Sequence, residues 1–461
     1  MDTLDAYQAL LAAQTEKAVP ITLHRHTHLV ERPFAVVGYH LAGDAGAPLA
    51  FMFGDKPDPD AATVIAIPEP RNRAERFDAL ARFGAALNDY LDSCGLEEAD
   101  GPQLMLANPA TAQWLLGVVA RWTRNLQTEG EFAVAESVPT AGKNLSALRD
   151  IMITPGSSMV YIATDVLTLH FKTGQLPAED LNLAALLGWV DPPSGLTGPQ
   201  AARRGEQQPP AGPLTDPNWD AEYLEGFSKR WRATSSGTRD TYRRLYEQQL
   251  REQLLPAWND LWRSRTIIEG TTPSDHAAQR YRDDLDSRTA HLLRMGSPDG
   301  ARFRTIPRPT DSAVTLSRHE DRQQTLEAQM AQSDRLVLAR YASKGEILDG
   351  TVTAANLTAK DGRKLRPRLT ISPILACDLG PGDELHLHSL PDVRLEVIGT
   401  VRADAFDPVE VMVVGGANQP ARVGRLPRVG DPLLASRLTE AGFYRVEKLA
   451  TVPWTHDLEA S

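Results

Sequence analysis

The sequence predicts a multidomain chain: an α/β (α+β) N-terminal domain, a helical middle segment, and an all-β C-terminal module built as a small barrel or sandwich. Three observations carry this expectation. Residues 192–218, PPSGLTGPQAARRGEQQPPAGPLTDPN, hold seven prolines and four glycines in 27 residues, a composition that predicts an extended or mobile linker. Ahead of them, short apolar strands alternate with amphipathic helices. Behind them, Arg-rich helices give way at Gly345 to a period-two alternation of apolar and polar residues. The expected divisions are therefore an α/β domain with a mixed sheet over 1–191, the linker over 192–218, a helical segment over 219–344, and a β-rich module over 345–461.

Each element follows from local pattern. A first helix is expected from Asp5 to Lys17. Strands follow at 20–29, 34–42, 48–54 and 62–67, the second and third joined by the Gly-rich turn GDAGA. Helix 72–92 places Phe77, Leu80, Phe83, Leu87 and Leu91 at three- and four-residue spacing. Strand 103–107 runs into Asn108-Pro109, where Asn caps a helix and Pro suits its first turn. Helix 109–124, strand 131–138, helix 144–151, strand 158–164 and helix 178–189 complete a layer of helices on a mixed sheet. Trp219 to Arg265 reads as largely helical, with Tyr242, Leu245, Tyr246, Gln249, Leu250, Leu254, Trp258 and Leu261 on one stripe and a bend at Pro256. Helices 274–295 and 318–342 follow. In the last module, strands 384–389 and 394–401 form a hairpin through Leu390-Pro391-Asp392, and strand 409–414 enters the loop GGANQPARVGRLPRVGDP.

Charge is unevenly distributed. The net charge is −11 for the whole chain, and residues 1–100 carry 8 Lys+Arg against 16 Asp+Glu. Residues 219–344 reverse the balance, with 21 against 18. A phosphate-bearing partner is therefore expected at the later segments. Two cysteines, Cys94 and Cys377, point to a reducing compartment rather than a disulfide framework. The N-terminal stretch has acids where a secretory signal needs bases, and no apolar run reaches the ~20 residues of a membrane span. The chain is expected to be cytoplasmic and to have no membrane partner.

Several constellations suggest chemistry. His24, His26 and His28 stand at period two, which on a strand would aim three imidazoles at one divalent metal. The string Leu23-His24-Arg25-His26-Thr27 resembles the opening motif of the polymerase-and-histidinol-phosphatase phosphoesterases. The likeness spans five residues, and the later motifs of that family have no counterpart here. The order helix, strands, helix, strand is similar to the restriction-endonuclease core. That resemblance would give Asp55 and Glu69 a metal-holding role, although the expected lysine is missing and prolines flank the acid. Residues 236–258 resemble the core-binding helices of tyrosine recombinases over about twenty residues, without that family's catalytic domain. A P-loop, a dinucleotide-binding glycine fingerprint and a nucleophile elbow are absent from the sequence.

Basic residues are the remaining candidates. Arg243, Arg244, Arg251, Arg263 and Arg265 are expected on the solvent face of the middle helices. Lys360, Arg363, Lys364, Arg366 and Arg368 fall within nine residues, and Arg422, Arg425 and Arg428 recur every third residue beside glycines. Guanidinium forks and bare backbone suit phosphate oxygens. Phe406 is the one aromatic near these loops in sequence. The expected function is a non-catalytic adaptor or scaffold with no cofactor, contacting protein or nucleic acid through its C-terminal half, in a nucleic-acid-processing or phage-defence assembly. The alternatives are a metal-dependent phosphoesterase or nuclease sited in the N-terminal domain, and a structural assembly subunit.

Overall fold

The structure, a computed structural model, describes residues 3–298, 300–303, 308–399, 406–417 and 419–440. It opens with α1 (Thr3–Thr15) and has an N-terminal α/β region, a helical middle and a C-terminal antiparallel barrel. Two compact units emerge, residues 8–306 and residues 307–461 with the first seven.

In the first unit, β1 (Phe34–Leu41), β2 (Asp44–Gly54) and β3 (Thr63–Ala66) form an antiparallel meander. The strands β4 (Leu104–Leu106) and β5 (Val160–Ile162) add in parallel on the other side of β1, giving the order β3-β2-β1-β4-β5. Side chains alternate between the two faces, as the pleat requires. Val36, Phe51, Phe53 and Leu104 pack with α2 (Arg73–Ser93), the helical stretch over 109–123, and α3 (Ser137–Met152). Val37, Tyr39, Met52 and Met105 face the opposite way, against α4 (Leu183–Val190) and α6 (Arg239–Glu269). The sheet is thus buried between two helical layers, which is why its strands read as nearly continuous apolar runs.

Three expectations are corrected here. The segment 192–218 is packed rather than a mobile linker. Thr197 and Gln200 close a capping box at the head of α5 (Gly198–Gly205), and Ala201 and Ala202 are buried. Gly188 and Gly205 permit close approach of α4 and α5; a Cβ on Gly188 would fall 2.5 Å from the Ala202 nitrogen. Downstream, the Pro213 carbonyl accepts from the His40 N–H at 2.9 Å, and the Asn108 amide donates to the Gly212 carbonyl at 3.0 Å. Proline lacks a donor but keeps its acceptor, so a Pro-rich segment can still be tied down through carbonyls.

The middle helices are the second correction. Tyr246, Leu250, Leu254, Trp258 and Leu261 of α6 belong to the same core as the sheet. Tyr281 and Leu285 of α7 (Asp275–Met295) join the core on the other face. Residues 219–295 therefore belong to the first unit, not to the separate division expected over 219–344. Third, strands 20–29 and 131–138 do not form. Residues 21–30 run as a loop with one bridge from Arg25 to Pro273, and 131–136 lead into α3.

In the second unit, helices α8 (Pro309–Ser333) and α9 (Arg335–Ser343) precede six strands. These are β6 (Ile347–Asn356), β7 (Arg368–Pro373), β8 (Glu384–Leu387), β9 (Leu390–Gly399), β10 (Val409–Gly415) and β11 (Pro432–Ser436). They close as β7-β10-β9-β8-β11-β6 with every pair antiparallel. Leu369, Ile371, Leu385, Leu395, Val411 and Val413 fill the interior, and closure gives each of the six described barrel strands a neighbour on both sides. The expected strand end at 400–401 lies outside the described residues.

Candidate functional site

In an antiparallel barrel, successive connections alternate between the two ends. The β6–β7, β8–β9 and β10–β11 connections therefore share one mouth. Register agrees: Arg368 at the start of β7 pairs with Asn356 at the end of β6 and with Met412, while Arg394 near the start of β9 pairs with Gly415. This mouth brings together two basic loops some sixty residues apart in sequence.

The first loop is a short hairpin in which Lys364 pairs with Asp361 and Leu365 with Lys360. Gly362, at φ +56°, makes the reversal and leaves Arg363 at the exposed tip. Arg366 turns back and donates to the Val414 carbonyl at 2.6 Å. The second loop starts at Gly416, whose φ is +75° and where a Cβ would lie 2.0 Å from the Asp392 carbonyl oxygen. Only glycine fits that approach. Arg422 lies 3.5 Å from the Gly416 carbonyl, and Arg425 grips Asp392 with both arms at 3.0 and 3.2 Å. The Arg425 fork holds the Asp392 carboxyl below the usual carboxylate range. Arg368 reaches Glu410 at 3.8 Å. Among the described residues, Lys360, Arg363, Lys364 and Arg428 are exposed and make no ion pair.

The opposite mouth has another character. The β7–β8 connection carries Asp378 and Asp383, and the β9–β10 connection carries Asp407. Phe406 lies in that same connection, so the one aromatic near the basic loops in sequence stands at the far end of the barrel. The connections at the basic mouth contain no Phe, Tyr or Trp.

The remaining candidates fall elsewhere. On α6, Arg251 donates to the Pro59 carbonyl at 2.7 Å and to Asp60 at 2.6 Å. Arg243 lies 3.8 Å from Glu75 and over the Trp231 ring. Arg263 pairs with Asp191, and Arg265 is buried and donates to the Val30 carbonyl. The expected solvent face is corrected for Arg265 alone, which is buried; Arg243, Arg251 and Arg263 stay part-exposed while reaching acids and carbonyls of their own unit. Arg244 alone of this group is exposed with only its own helix, at the Asp240 carbonyl, as partner.

His24, His26 and His28 lie in the 21–30 loop, so no strand aligns their rings. His26 is buried and stacks with His170, while His28 stacks on Tyr281 at 4.5 Å and contacts the Glu98 carbonyl. Asp55 faces Arg32 at 3.9 Å and Glu69 faces Arg232 at 3.8 Å. Among the described residues, no group of three or more His, Cys, Asp or Glu is placed to hold a metal ion. Nor is any described helix long and apolar enough to cross a membrane. No family model, curated protein or solved structure matches the chain. The site is therefore argued from its own geometry.

Proposed function

We propose that this chain is a non-catalytic, cytoplasmic adaptor that holds nucleic acid by its phosphate backbone through the basic mouth of the barrel. The setting we infer is a nucleic-acid-processing or phage-defence assembly, in which the α/β unit would meet protein partners. One observation carries the reading: two basic loops remote in sequence meet at one end of the barrel, with four cations unpaired among the described residues. Guanidinium and ammonium groups without internal partners are available to phosphate oxygens. Without aromatics, the mouth has no platform for stacking bases. It is therefore expected to bind duplex and single strands by charge, with little sequence preference.

The test is fluorescence anisotropy of labelled oligonucleotides across a salt series, using the full chain. Affinity should fall log-linearly with salt. The triple reversal Lys360→Glu, Arg363→Glu, Lys364→Glu should abolish most binding. Single Lys→Ala or Arg→Ala changes should each lower the salt slope by about one. Binding that survives the triple reversal unchanged would remove this proposal.

A further inference from the structure

The acidic mouth of the barrel also carries apolar side chains that the fold leaves in solvent. Ile374 and Leu375 open the β7–β8 connection and Phe406 lies on the β9–β10 connection; they are 63%, 44% and 55% exposed. Register sets the two stretches side by side, since Ile371 of β7 pairs with Val409 of β10, three residues before Ile374 and three after Phe406. The barrel interior is filled by other residues, Ile371, Val409 and Val411 among them. Large apolar side chains grouped on an exposed surface mark a contact site.

Charge narrows what can meet them. Residues 344–346, 374–383, 406–408 and 437–440, which lie at this mouth, carry five acids against two bases. One of the bases, Arg437, is spent on Asp383 at 2.6 Å and on the Asp378 carbonyl at 3.2 Å. The Asp378 carboxylate is exposed and makes no ion pair among the described residues. The fitting partner has cations set around an apolar point. The other mouth of the same barrel has that composition: Val429, 62% exposed, follows Arg428, and Lys360 and Lys364 offer aliphatic stems ending in ammonium groups.

We propose that the acidic mouth of one chain docks the basic mouth of a second copy. Ile374 and Leu375 would pack on Val429 and the lysine stems, and Asp378 would face the ammonium and guanidinium groups. The two surfaces differ, so the contact is heterologous and leaves one mouth of each chain open for a further copy. A contact of this size is small, so the association is weak and screened by salt. The cations are also those offered to phosphate, so a bound strand and a second copy exclude one another. That consequence, unlike the association itself, rests on the phosphate reading.

The experiment is sedimentation velocity of the full chain over a concentration series at low and high salt. Average mass should rise with concentration at low salt and return to that of the monomer at high salt or with a bound oligonucleotide. Ile374→Asp, and separately the triple reversal Lys360→Glu, Arg363→Glu, Lys364→Glu, should each weaken association about tenfold or more. Only the triple reversal should also lose the oligonucleotide. Mixed together, the two variants should form an equimolar pair and stop there, because each keeps the mouth that the other has lost. All four changes fall on exposed side chains, and thermal unfolding checks that both variants fold. The proposal is overturned by a chain that stays monomeric at low salt, by association that survives either variant, by a mixture that does not pair, or by assemblies that persist with oligonucleotide bound. Pairing without any oligonucleotide binding would uphold it and remove the phosphate reading alone.

Discussion

Three arginines of α6 and four cations of the barrel mouth look alike in sequence and differ in occupation. Arg251, Arg263 and Arg265 sit on a helix whose other face is the core, and each reaches a carbonyl or acid of a neighbouring loop. Lys360, Arg363, Lys364 and Arg428 sit exposed on connections of the barrel, and among the described residues their side chains make no ion pair. A count of basic residues cannot separate the two cases. What separates them is whether the fold spends the donors internally, since a guanidinium already satisfied gains little from a phosphate.

The comparison can be broken in order of expected effect. If α6 is core, Trp258→Ala should cost about 3–5 kcal/mol, because the ring is fully buried and its N–H donates to the Pro57 carbonyl at 3.1 Å. Chemical denaturation reads this, and a loss under about 1 kcal/mol would contradict the placement of α6 in the core.

The latch of α7 comes next. Asp284, 4% exposed, accepts from Ser157 Oγ at 3.0 Å and from the Ser158 N–H at 2.8 Å. Burial nevertheless raises its pKa to about 7, and the folded state thus holds a proton that the unfolded chain releases. Its contribution is full below about pH 4 and is lost as pH rises toward 7, on the order of a few kcal/mol. Asp284→Asn should flatten that fall in melting temperature; an unchanged pH profile would contradict it. His291 has the opposite sign, losing stability as pH drops from 6.5 toward 4, so the two trends overlap and the Asp284 share is read as the wild-type minus Asp284→Asn difference between pH 4 and 7.

Arg251→Ala should cost about 1 kcal/mol and leave oligonucleotide affinity unchanged. The triple reversal at Lys360, Arg363 and Lys364 should do the reverse, with stability within about 0.5 kcal/mol and binding lost. Arg244→Ala, exposed and bonded only within its helix, should alter neither. If Arg251→Ala weakened binding as much as the triple reversal, the distinction between the two regions would fail.

Much of the architecture was legible residue by residue. Helix 72–92 is α2 within one residue at each end, because Asn72 caps it and Phe77, Leu80, Phe83 and Leu87 repeat on one face. Asn108-Pro109 marks a helix start for the same local reason. The histidine triplet misled because period two is a property of the letters until backbone pairing makes it a property of a strand. At 21–30 the chain instead pairs at Arg25 alone, with Pro273 on the approach to α7. The part-buried hydrogen-bond chain through Asn88, Asn144 and His291 had no signal in sequence, since its members are scattered across 204 positions.

By itself, the sequence determined what depends on neighbours a few residues apart: caps, helical stripes, the alternation of the barrel strands, the tight glycine turns and the supply of basic loops. Tertiary structure alone decided where those pieces were spent. The Pro-rich segment became part of the fold because its carbonyls met donors on β1 and beside β4. Two distant basic loops became one mouth because antiparallel closure returns alternate connections to the same end. Both outcomes turn on partners remote in sequence, and local composition carries no record of who those partners are.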